Sequence, residues 1–362
     1  MQAPANLKTL TGLRFFAALW VVLHGYWPNL GLPTPAIVAK GYLGVELFFT
    51  LSGFILCHVY LEQVEARTFR YGGFLWARLA RIYPMHLASI GLIGVMGFAA
   101  LAAGKPVDAN AVSLSVLPAN LLLVQAWGFA PVSGWNHSSW SISAEWFAYL
   151  AFPAFAAAAL ALKDRPRLAV ALAIGFVAGL YAIFQRLTGQ SLTHATIAWG
   201  ALRIVPCFAF GCAAYLVWRA NLVRSGALAW AGAAISGALL ITFAWVDAPD
   251  LAIVVASGGL ILSLAFASKT WVGGKVLNKL VYLGEISYSI YMLFVPWQLL
   301  FVNLTSKVFH YQKDHMPVYL WLIFIASLVP LAAAAYQFIE RPARGLMRGG
   351  LPAFGRSLAT VS

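Results

Sequence analysis

Ten stretches of mostly apolar residues follow one another along the chain, near 10–27, 41–61, 84–104, 140–162, 168–187, 198–218, 226–246, 251–268, 280–302 and 317–339. A bilayer core about 30 Å thick needs roughly twenty such residues per helix. In hydrocarbon, only helices and closed barrels satisfy their own backbone. The pattern therefore predicts an all-α, polytopic membrane protein with about ten transmembrane helices. An eleventh stretch, 113–129, is shorter and carries Pro118, Asn120 and Gln125. It predicts a re-entrant or surface-lying segment. Lys8 and Arg14 ahead of the apolar run 15–23 have the form of a signal-peptide start. No small-x-small site follows closely and His24 interrupts the run, so the first stretch is read as a retained span.

Composition narrows the class further. Hydrophobic residues make up 62% of the 362 positions and charged ones 10%, against about 25% charged in soluble domains. Mean hydropathy is +0.81. A soluble enzyme, a disordered chain and a nucleic-acid binder are excluded, despite a net charge of +13. In a membrane protein that excess reports orientation. With ten spans and the N-terminus inside, seventeen basic residues fall in 1–9, 62–83, 163–167, 219–225, 269–279 and the C-terminal segment. Four fall outside: Lys40, Lys105, Lys307 and Lys313. Both termini are thus expected in the cytoplasm. The domain organisation expected is one transmembrane domain over 1–340 and a basic cytoplasmic tail over 341–362. Cys57, Cys207 and Cys212 lie in apolar runs without metal-ligand or disulfide spacing, so no metal site is expected.

Ionisable groups inside spans are costly and mark candidate functional positions. At 1.5 Å per residue, His24, Glu46, Glu145 and Arg203 each lie a few residues from the outer end of their spans. A His beside a carboxylate is a general-base arrangement, which makes His24, Glu46 and Glu145 the catalytic candidates. Arg203 is placed to neutralise a carboxylate or hold an oxyanion. A second layer lies toward the inner side. Arg14 is near the start of the first span, and Arg78 and Arg81, three residues apart, share a helix face. Guanidiniums on one face suit a phosphorylated ligand; ordinary positive-inside bias explains them equally well. Glu285 is a candidate arginine partner. The outer segment adds Trp127, Trp135, His137 and Trp140, whose aromatic rings suit either stacking on an acceptor or an interfacial belt.

Several runs have a familiar form. Leu10-Thr-Gly-Leu-Arg14 through His24, Gly41-Tyr-Leu-Gly-Val-Glu-Leu-Phe-Phe-Thr-Leu-Ser-Gly-Phe54, Arg78-x-x-Arg-Ile-Tyr-Pro84 and Trp140-Ser-Ile-Ser-Ala-Glu145 carry the likeness. Ile286-Ser-Tyr-Ser-Ile-Tyr291 and Tyr336-x-x-x-Glu-Arg-Pro342 extend it. On these motifs the chain resembles the acyltransferase 3 family of integral-membrane O-acyltransferases, which modify cell-surface glycans. It departs from the family in two places. Nine residues rather than ten separate Arg14 from His24, which turns His24 about 80° away from the face of Arg14. Phe294 stands where many members have His.

The resemblance implies an acyl-CoA donor such as acetyl-CoA, used as a co-substrate from the cytoplasm, with no permanently bound cofactor. It implies a glycan or polysaccharide hydroxyl as acceptor on the outer face of a bacterial inner membrane. Arg14, Arg78 and Arg81 would bind the donor. Arg203, Trp140 and His137 would line the acceptor side. Two other classes share the gross features. A proton-coupled transporter also has buried ionisable groups at one depth, and a non-enzymatic partner in polysaccharide assembly also needs no soluble domain.

Overall fold

The computed structural model describes residues 7–270 and 274–349, and all regular structure among them is helical. In chain order the helices are α1 (Lys8–Tyr26), α2 (Ala36–Ala39), α3 (Gly44–Glu65), α4 (Tyr71–Ala102), α5 (Leu117–Leu121), α6 (Trp140–Leu150), α7 (Phe152–Ala161), α8 (Pro166–Thr188), α9 (Gly200–Arg219) and α10 (Gly226–Trp245). They continue with α11 (Asp250–Ala267), α12 (Lys275–Glu285), α13 (Ser287–Val308), α14 (Val318–Ala335) and α15 (Arg341–Gly349). Among the described residues, eight helices are long and apolar enough to cross a membrane, and the bent pair α6–α7 makes a ninth. Helix α1 covers the first of the ten expected stretches but is not among these candidate spans. Its 19 residues include Arg14 and His24, which hold its mean hydropathy down.

Prolines separate the observed spans from the expected ones. The span expected from residue 84 starts at Tyr71, and Pro84 lies inside α4. Proline removes one backbone donor, a loss that membrane helices absorb through their neighbours. Arg78 and Arg81 consequently sit inside the span rather than ahead of it. The span expected over 140–162 bends by 57° between α6 and α7, where Pro153 enters the first turn of α7. The stretch 113–129 does not cross. It forms α5 and a wide turn over Gln125–Phe129. Its polar groups are stitched to the start of α6. Gln125 donates to the Ser139 carbonyl and hydroxyl oxygens, and Trp127 donates to the Ser143 carbonyl. The basic segment after 340 begins as α15 on the flank of α4, where Trp76 Nε1 donates to the Met347 carbonyl at 2.8 Å. Residues 350–362 lie outside the described residues.

Ion pairs tie loops of alternate spans together. Glu65 at the end of α3 meets Lys163 and Arg219, at 2.8 and 2.6 Å. Lys40, ahead of α3, meets Asp247 after α10 and Asp250 at the start of α11, at 3.1 and 2.9 Å. The two clusters define opposite faces of the helix bundle. Helices α3 and α9 are the most enclosed, whereas α8 and α10 are the most exposed. The α3–α9 crossing is close because both partners lack a side chain there. A Cβ on Gly211 would overlap the Thr50 carbonyl, and one on Gly53 the Phe208 carbonyl. Membrane helices gain close packing from small residues at such crossings.

Candidate active site

His24 opens on a cavity of about 680 Å³ between α1, the start of α3, the 191–196 segment, α9 and α13. That volume falls in the range of small-molecule sites, about 300–1,000 Å³. The His24 Nδ1 lies 3.2 Å from the Val38 carbonyl oxygen. An Nδ1–H donated to that carbonyl leaves the lone pair on Nε2, the arrangement of a base or nucleophile. Close approach of the chain holds the ring. A Cβ on Gly41 would overlap the Trp20 carbonyl and meet the His24 Cβ at 2.7 Å. Phe294, at the position of the family's second His, lines the same cavity. One of its ring atoms would lie 3.0 Å from a Cβ at Gly25.

Glu46 is not the partner of His24. Its carboxylate takes two bonds from Arg203, from Nε at 2.5 Å and from a terminal nitrogen at 3.0 Å. Both side chains are almost fully buried, Glu46 1% and Arg203 2% exposed. The other terminal nitrogen of Arg203 donates to the Ala195 carbonyl at 2.8 Å. The guanidinium also lies 4.6 Å above the Trp140 ring. Arg203 therefore neutralises a carboxylate, one of its two expected uses. Trp140 is buried under it, with this face of the ring covered. His137 is exposed on the rim of the cavity, its Nδ1 2.7 Å from Ser133 Oγ. Trp127 and Trp135 anchor the outer segment through their indole N–H groups.

Glu145 does not share the level of His24. It lies in a second cavity with Arg14, Arg78 and Arg81, and accepts a bond from Ser52 Oγ at 2.9 Å. Glu46 pairs with Arg203, whereas Glu145 meets Ser52, six residues further along α3. Arg14 and His24 lie on one uninterrupted helix and face different cavities. The shorter Arg-to-His spacing thus corresponds to two layers, not to an irregular helix. Arg78 is buried against the Tyr60 ring, and its Nε has no hydrogen-bond partner among the described residues. Arg81 pairs with the fully buried Glu340 at 3.0 Å, and Ser289 donates to the same carboxylate at 2.7 Å. Glu285, the partner expected for an arginine, is exposed instead. Glu340 lies in the quoted Tyr336-x-x-x-Glu-Arg-Pro342 run, which was the available signal.

A polar cluster that the sequence does not single out borders the His24 cavity. The Tyr42 ring meets His24 edge-on at 5.7 Å, and its hydroxyl donates to Asp250 at 2.8 Å. Thr193 donates to the same carboxylate. The His194 ring lies 4.3 Å from the Tyr42 ring. Burial pushes its imidazole below the usual histidine range, which favours the neutral form. Lys40, Asp247 and Asp250 lie at span ends, where charge is ordinary, so only their meeting sets them apart. All three cysteines are buried and free.

Together these features define a multi-pass helical membrane protein with two cavities that ionisable side chains enter, Val45 and Tyr291 lining both. The family model described as an acyltransferase domain matches residues 7–337, and the chain belongs to this acyltransferase 3 family. It is similar to the acyltransferase MdmB of Streptomyces mycarofaciens, with 35% identity over 158 residues, covering 41% of this chain and 38% of that one. It is also similar to protein 2 in the picA locus of Rhizobium radiobacter, with 33% identity covering 36% of this chain and 63% of that one. The O-acetyltransferase OatA of Staphylococcus aureus is 24% identical over 95% of this chain and 58% of its own length. The chain therefore spans less than two-thirds of each of these relatives. No solved structure matches.

Proposed function

We propose that the protein transfers an acyl group, acetyl in the simplest case, from a cytoplasmic acyl-CoA-type donor to a hydroxyl of an exported or cell-surface glycan. The observation that carries this is the separation of Arg14, Arg78 and Arg81 from His24 into two cavities that share a wall. The arginine cavity lies toward the chain face with the basic loops, cytoplasmic by the charge rule, and that side of a bacterial inner membrane has the acyl-CoA. Arginines suit the donor's phosphates through charge-assisted bonds. On the other side, His24 Nε2 is free to take the proton of an acceptor hydroxyl or to carry the acyl group. The names of MdmB and OatA, an acyltransferase and an O-acetyltransferase, support the reaction type.

The test is vectorial. Purified protein in proteoliposomes receives labelled acetyl-CoA on the side of the basic loops and a polysaccharide acceptor on the other. Label is expected on the polysaccharide, which itself stays in its compartment, and exchanging the compartments should stop the reaction. Passage of unmodified polysaccharide driven by a pH gradient, without label transfer, would establish the transporter class instead.

The two cavity arginines should separate in their effects. Arg78→Ala is expected to raise the donor KM by about ten- to a hundredfold, the loss of one bond to a charged group, with the acceptor KM unchanged. Arg81→Ala leaves the buried Glu340 without its nearest cation and should chiefly lower thermal stability. Donor titrations at several salt concentrations and thermal unfolding in detergent check both. An unchanged donor KM in Arg78→Ala would leave that arginine as a marker of orientation only.

A further inference from the structure

Among the described residues, Val45 and Tyr291 are the two that line both cavities. On the transfer reaction proposed above, the donor's thioester comes from one cavity and the acceptor hydroxyl from the other, so the reacting carbonyl lies at this junction. Val45 has no polar side-chain atom. Ser141 Oγ has one proton and two acceptors in reach, the Ser138 carbonyl at 3.2 Å and the Tyr291 hydroxyl at 2.9 Å; donated along the shorter contact, it leaves the Tyr291 proton available for donation.

The surroundings hold that hydroxyl in place. The Tyr291 ring is 6% exposed and packs edge-on against Phe48. Pro296, four residues after Met292, has no N–H for the Met292 carbonyl; Asn136 Nδ2 donates to it at 2.9 Å instead. Two residues further on, the Phe294 carbonyl accepts from the Tyr26 hydroxyl at 2.7 Å. The stretch of α13 that carries Tyr291 is thus fastened from α1 and from the turn ahead of α6. A fixed, buried donor is what a developing oxyanion requires. Arg203 is the other candidate donor, but it lines the His24 cavity alone and is engaged with Glu46 and the Ala195 carbonyl.

We infer that Tyr291 is a catalytic residue whose hydroxyl donates a hydrogen bond to the thioester carbonyl oxygen during transfer. As the acceptor oxygen bonds to the carbonyl carbon, its proton passes to His24 Nε2 and the π electrons move onto the carbonyl oxygen. Tyr291 holds that oxyanion and keeps its proton. On collapse the C=O bond re-forms and the C–S bond breaks. The departing thiolate takes the proton from His24, so ester and free thiol are the products.

Two variants test this. Tyr291→Phe keeps the ring in the wall and removes the donor. Its kcat is expected to fall by about 10²–10³-fold, the loss of one oxyanion donor, with donor and acceptor KM values unchanged. Replacement of Tyr291 by 3,5-difluorotyrosine keeps the shape but acidifies the phenol. The phenolate cannot donate, so the rate should fall at lower pH than in the tyrosine enzyme. An active wild type matched in kcat by Tyr291→Phe would overturn the role of Tyr291 alone. So would a loss confined to KM, or an unchanged pH profile in the fluorinated protein. A wild type that transfers nothing from any acyl thioester overturns the transfer reaction and this role with it.

Discussion

His24→Ala should lower acyl transfer by about 10²–10⁴-fold, the usual cost of losing a positioned base, while the protein inserts and unfolds as the wild type does. The imidazole is half-buried at a cavity wall, and its hydrogen bonding is to backbone, with the Val38 carbonyl 3.2 Å from Nδ1. Its removal therefore strands no buried charge. Transfer assays on purified variant, with thermal unfolding alongside, measure the two quantities separately. Near-normal transfer by a folded His24→Ala protein would remove His24 from the chemistry, whether as base or as acyl carrier.

The opposite signature is expected for Glu46. Glu46→Ala leaves Arg203 charged and enclosed, and breaking a buried pair by removing one partner costs about 3–5 kcal/mol. A large fall in thermal stability and in yield is expected, with any lost activity following the lost fold. Replacing both residues, as in Glu46→Leu with Arg203→Met, should recover much of that stability, because a well-packed apolar pair often equals a buried ion pair. A double-mutant cycle gives the coupling. If Glu46→Ala unfolds like the wild type and still loses transfer, Glu46 acts in the chemistry rather than in holding α3 to α9.

Glu145 marks where depth along a helix ceases to be informative. Residue count places a Cα along the membrane normal, and it placed Glu46 and Arg203 close enough to pair. It is silent on which neighbour a side chain faces. Glu145 faces Ser52 and the arginines because α4 and α13 complete that cavity, and this depends on how distant helices pack. The same limit explains Glu340. Its burial against Arg81 and Ser289 joins residues more than fifty positions apart; the Tyr336-x-x-x-Glu-Arg-Pro342 run marks the residue but does not say what it pairs with.

The sequence by itself determined the helical membrane class, the approximate place of most spans and the alternation of basic loops. Hydrocarbon imposes these on any chain through length, apolarity and charge, all of which are local. The family was also legible, because runs such as Gly41 to Phe54 carry glycines at the points where helices touch. Tertiary structure alone decided the rest. Pro84 was absorbed within α4, the 113–129 segment was bonded to α6, and the charges sorted into a structural pair and two cavities. The reason is physical. A buried charge takes the partner that packing brings to it, and in this bundle the partners come from helices far apart in the chain.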